Sequence, residues 1–147
     1  MFNRIVVGTD GSDTAAGAVG QAVELAKLSG AQLNIVSAYA PVSGSRVKAE
    51  ELDAPADVQH EIGPREDVNL VLDAAASAAR KEGVEVQTHP VEADPADAIL
   101  NVAEQVDADL IVVGNKGMTG ARRYLLGSVP NNVSHHAPCS VMIVRTT

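Results

Sequence analysis

The stretch DLIVVGNKGMTGARRYLLGSV, residues 109–129, decides how the rest of the chain is read. From Leu110 it runs apolar and β-branched up to Gly114, the composition of a strand buried on both faces in a parallel sheet. The sixteen residues from Gly114 to Val129 then carry four glycines, three cations (Lys116, Arg122 and Arg123) and no carboxylate. A buried strand that ends in a glycine-rich, cationic turn can present backbone N–H groups to an anion at the edge of an open α/β sheet.

Working outward, four more runs have the same character: Asn3 to Gly8, Gln32 to Ala38, Glu85 to Val91 and Ser140 to Val144. Between them the apolar residues recur at helical spacing. Val19, Ala22, Val23 and Ala26 share one face, as do Val68, Val71, Leu72, Ala75 and Ala79, and then Ile99, Leu100, Ala103 and Val106. Ser12 or Asp13 caps the first helix, Asp94 before Pro95 reads as a side-chain cap, and Gly30 and Gly83 suit left-handed helix ends. Ser128 with Pro130 opens a last helix that Pro138 stops. The order βαβαβαβαβ predicts one α/β domain over residues 1–147, a mainly parallel sheet with right-handed crossovers and helices on both faces. One connection breaks the rhythm. Residues 39–64 join the second strand to the second helix with little periodicity beyond a short helical pattern over Val47 to Leu52, and such long connections are commonly functional.

Composition narrows the function. The longest apolar runs fall well short of the roughly 20 residues that span a bilayer, so no membrane is expected. Cys139 is the single cysteine, which suits a reducing, cytoplasmic compartment. Net charge is −8, yet residues 110–147 hold no Asp or Glu and carry +4, leaving −12 on residues 1–109. An acidic protein with only Phe2, Tyr39 and Tyr124 as aromatics is not built for nucleic acid, whereas a small anion suits the locally positive segment. His135 and His136 are adjacent on a helix, point about 100° apart and so do not converge on a metal.

Ligands of open α/β sheets sit beyond the carboxyl ends of the strands, where the winding reverses. Two loops have the chemistry for that place: GTDGSD, residues 8–13, and the stretch 114–129. Glycines let the main chain approach a ligand, and the step Gly127-Ser128-Val129 enters a helix whose first N–H groups attract anions. The spacing matches neither GxxxxGK[ST] nor GxGxxG. Asp10 either faces the ligand or closes the first strand by bonding local N–H groups. Thr9 is a secondary candidate beside it, and one of Arg122 and Arg123, taken here as Arg123, is expected at phosphate.

Together, VVGTDGS (6–12), Gly114-x2-Gly117-x9-Gly127-Ser128 and LLGSV (125–129) resemble the nucleotide-binding branch of the universal stress protein family, and the likeness covers the whole chain. It implies a five-stranded parallel sheet in 3-2-1-4-5 order, doubly wound, and a homodimer formed through Ser140 to Val144. It implies ATP, with Mg²⁺ as its companion ion, or in some members cyclic AMP. Adenine would lie at the end of the second strand, at Ala38, with Asp10 near the ribose or a cation. Gly114 and Gly117 would line the sugar and phosphate path, and Gly127, Ser128 and Val129 would donate to phosphate. Gly8 and Asn115 complete the two loops. No nucleophile stands beside a base, so no catalytic residue is assigned. The expected role is regulation or nucleotide sequestration in the cytoplasm; the alternative is a slow ATPase with a metal near Asp10. Gly114→Ala is expected to hurt binding without unfolding the domain.

Overall fold

A computed structural model of the chain describes residues 1–40, 65–115 and 126–146. In chain order the elements are β1 (Arg4–Gly8), α1 (Asp13–Ser29), β2 (Gln32–Tyr39), α2 (Arg65–Lys81), β3 (Val86–Glu92), α3 (Pro95–Gln105), β4 (Leu110–Gly114), α4 (Ser128–His136) and β5 (Ser140–Val144). All ladders are parallel and the order is β3-β2-β1-β4-β5, as the family likeness implied. Most of the connection at 39–64, including Val47 to Leu52, lies outside the described residues.

Side chains alternate across each strand, and the alternation divides the core. Ile5, Val7, Leu33, Ile35, Leu110 and Val112 point to the face covered by α1 and α2. Val6, Val36, Ile111 and Val113 point to the face covered by α3 and α4. Each such side chain, fully buried, contributes about 1.5–3 kcal/mol relative to exposure, so both faces must be covered and the sheet becomes the middle of three layers. Proline in a strand lacks a ladder donor, and Pro90 is accommodated because β3 lies at the edge.

The second face also buries a polar pair. Asn34 is fully buried; its Nδ2 donates to Ile5 O at 3.4 Å, and His89 Nε2 lies 2.9 Å from its Oδ1. An amide oxygen only accepts, so the imidazole proton sits on Nε2. Burial holds the His89 pKa below its ordinary value.

Helix ends follow the sequence with one correction. Ser12 caps α1, its Oγ accepting from Ala15 N at 3.2 Å, and Gly30 closes it at φ 72°. Gly83 takes φ 81° after α2. Asp94 does occupy the cap position of α3, but its side chain makes no capping bond. The start is held instead by Ala98 N donating to Asp94 O at 2.8 Å and by Pro95, whose ring presets the helical φ. The cap of α4 is Gly127, one residue before Ser128.

Candidate functional site

Parallel winding sends the chain from β1 to α1 on one face and from β4 to α4 on the other, so the gap between the ends of β1 and β4 is where the sheet opens. The two strands pair directly, with Val7 beside Val112. The two candidate loops therefore start as neighbours.

At the end of β1, Thr9 N donates to Val36 O at 2.9 Å, which carries the strand geometry one residue past Gly8. Asp10 Oδ1 then accepts from Ser12 N at 2.9 Å and Thr9 Oγ1 from Gly11 N at 3.1 Å. These local bonds bend the chain into α1, and Gly11 supplies the left-handed backbone the turn needs, at φ 84°. Asp10 thus closes the turn, and it also lines the hollow beyond it.

That hollow has a volume of about 160 Å³. Its inner wall is apolar, made by Val36, Ala38, Ile99, Val113, Val129 and Pro130. Its rim is polar, with Thr9, Asp10, Thr14 and Thr146 beside the backbones of Gly8 and Gly114. Cavities on the order of 150 Å³ accept a benzene ring, so a flat heterocycle suits the apolar slot while polar substituents reach the rim. Gly8 leaves room for Ile99: a Cβ there would stand 2.6 Å from Ile99 Cδ1, so that side chain would have to shift.

Among the residues singled out from sequence, Gly8, Thr9, Asp10, Ala38, Gly114 and Val129 line this hollow. Gly127 and Ser128 lie at the start of α4, directly before Val129 and outside the lining. Asn115 is buried, with its Oδ1 accepting from Thr146 N at 2.7 Å and from Thr146 Oγ1 at 3.1 Å. Gly117 and Arg123, with Lys116 and Arg122, lie outside the described residues.

Sequence reasoning missed Thr14, Ala15, Val36, Pro95, Ile99, Val113, Pro130 and Thr146. Strand alternation could have found two of them, because Val36 is in phase with Ala38 and Val113 with Ile111. Thr146 carried no signal; only the return of the chain past β5 brings it here. Elsewhere, Cys139 packs against the second core cluster, and burial first, then the nearby Asp109 carboxylate, raises its thiol pKa. A thiol kept protonated in this way behaves as a small apolar group.

Comparison with known proteins places the chain. The model of the universal stress protein family matches residues 1–145. The chain belongs to the universal stress protein family. A universal stress protein of Mycobacterium tuberculosis is 38% identical over 147 residues, covering 99% of this chain and 98% of the relative. Among solved structures, a universal stress protein in complex with cAMP is 34% identical with a TM-score of 0.74, covering 99% of this chain and 98% of that one. A universal stress protein from Archaeoglobus fulgidus in complex with dAMP is 30% identical with a TM-score of 0.67, covering 96% of each chain. In this universal stress protein, no helix among the described residues is long and apolar enough to cross a membrane.

Proposed function

We propose that this universal stress protein binds an adenine nucleotide, ATP or cyclic AMP, in the hollow between the ends of β1 and β4, and that it regulates or sequesters that ligand in the cytosol. The observation that carries the reading is the form of the hollow: an apolar slot ending at Ala38, bordered by hydroxyls, a carboxylate and glycine backbone. It suits a flat base with a polar tail. Two relatives with at least 30% identity, one holding cAMP and the other dAMP, point to the same ligand class.

Adenine would sit against Val36, Ala38 and Ile99, and the ribose near Asp10 and Gly114. Phosphate would meet the start of α4, where Gly127 offers no side chain to the first N–H groups and leaves them to a ligand anion. Gly117 and Arg123 would extend that cradle, and Mg²⁺ would accompany ATP. The same proposal includes a homodimer through β5, favoured because β5 is a sheet edge with Ile143 exposed.

Thermal unfolding with AMP, cyclic AMP, ATP with and without Mg²⁺, and GMP at about 1 mM tests the reading. A ligand at 100 times its Kd stabilises by about 2.7 kcal/mol, so a nucleotide that occupies the slot raises the midpoint measurably. The adenine compounds should do so and GMP should not. No shift with any adenine nucleotide, or an equal shift with GMP, would overturn the proposal.

A further inference from the structure

The residues that follow β5 are tied to the ligand hollow by an arrangement that neither the strand pattern nor the glycine motif accounts for. The β4–β5 ladder ends with Gly114 beside Val144. Beyond it the two chains stay joined. Asn115 N donates to Val144 O at 3.0 Å, and the Asn115 carboxamide, only 3% exposed, accepts from both the N–H and the hydroxyl of Thr146. A buried amide oxygen left without donors costs about 1–3 kcal/mol, so these two bonds contribute to holding Asn115 in place.

Space around Thr146 is cleared on one further side, at α1. Gly17 lies inside α1, where glycine is less favourable than alanine by about 1 kcal/mol. A Cβ at Gly17 would stand 3.2 Å from Thr146 Cγ2, closer than carbon atoms normally pack, so the glycine leaves room for the threonine. A Cβ at Gly114 would meet Thr146 Oγ1 at 3.6 Å. Thr146 is thus wedged between α1, the end of β4 and Asn115, and it forms part of the hollow's rim.

We infer that Thr146 is a positioning residue of the nucleotide site, acting through Asn115 to fix the main chain where it leaves β4 beside the ligand. The inference rests on the reading of the hollow as an adenine-nucleotide site. A threonine is suited to it because one residue supplies two donors to one oxygen while its methyl fills the gap left by Gly17.

The test is AMP affinity, by calorimetry on the full chain, for wild type, Thr146→Val, Thr146→Ser, Asn115→Ala and the double variant Thr146→Val/Asn115→Ala. Valine keeps the shape and the backbone bond and removes only the hydroxyl. Its affinity should fall about 3- to 10-fold, the worth of one hydrogen bond, and serine should restore it. In the Asn115→Ala background the valine change should have no further effect, because both act through one contact. Leu72→Ala, at a buried position of α2 away from the hollow, should lower the melting temperature and leave AMP affinity unchanged, separating positioning from general stability. Wild-type affinity in Thr146→Val, or additive losses in the double variant, would overturn the inference while the site reading stands. Absence of AMP binding by the wild type would sink the site reading, and this inference with it.

Discussion

The two faces of the one sheet are covered in different ways. On the side of α1 and α2 the buried strand residues are apolar apart from Ser37, and a groove of about 720 Å³ is lined by Val19, Val23, Val71 and Ala75. On the side of α3 and α4 a Cβ at Gly8 would press on Ile99, and the layer holds the buried Asn34 beside the half-buried His89 and the hollow. Alternation along the strands also splits the two glycines of the site. The missing side chain of Gly8 points at Ile99 on α3, whereas that of Gly114 points at Thr146 and Ala18 beside α1. The lesson is that two glycines with the same place in a motif answer different physical demands. One clears room for a neighbour, and the other sits on the rim of the hollow with space to spare.

The sharpest way to break this comparison is Gly8→Val. With a Cβ 2.6 Å from Ile99 Cδ1 and two methyls beyond it, the domain should lose about 3 kcal/mol in urea unfolding, and AMP affinity should drop as Ile99 is driven into the hollow. Combining it with Ile99→Val should recover part of both. A loss below about 0.5 kcal/mol would mean the α3 face is as yielding as the other.

On the looser face the sign reverses. Nothing lies within 4 Å of a Cβ at Gly20, which borders the α1–α2 groove, so Gly20→Ala should stabilise by up to about 1 kcal/mol through helix propensity alone. Destabilisation in the same assay would place unseen packing in that groove.

A smaller effect separates the faces by pH. Burial lowers the folded-state pKa of His89, so as pH falls below 6.5 the unfolded chain takes up a proton that the folded chain still refuses. Stability should therefore be level above that pH and decline below it. His89→Gln, which keeps a donor toward Asn34 and does not titrate, should flatten the decline between pH 7.5 and 5.5; parallel curves would show that His89 is not its source.

The smallest change is expected at Gly114→Ala. Its methyl would meet Thr146 at 3.6 Å and Ala18 at 3.9 Å, ordinary contacts, so unfolding stability should stay within about 0.5 kcal/mol of wild type. A loss as large as that of Gly8→Val would erase the difference between the two strand ends.

Much of the fold could be read before any coordinates. The apolar runs, two of them closed by glycine, located every strand among the described residues to within a residue, because the central strands are buried on both faces and admit little else. The end of α3 was not legible in the same way. There Asp107 takes the left-handed φ of 53° that glycine supplies after α1 and α2, so the usual marker is missing. For the site, the glycine motif and the first loop identified Gly8, Thr9, Asp10, Gly114 and Val129 of the wall, but Ile99, Thr14 and Thr146 share no pattern with them.

By itself, then, the sequence determined the element order, the helix boundaries that glycine and proline mark, and the glycine-bearing segments at the ends of β1 and β4. Those are properties of short segments, set by backbone sterics and by periodic burial, and they survive without knowledge of neighbours. Only the tertiary structure decided that Gly8 and Gly114 open toward opposite faces, that Asp10 closes its own turn while lining the hollow, and that Asn115 is gripped by Thr146. The reason is that close packing and buried hydrogen bonds join residues far apart in the chain, and their partners are fixed only when the layers meet.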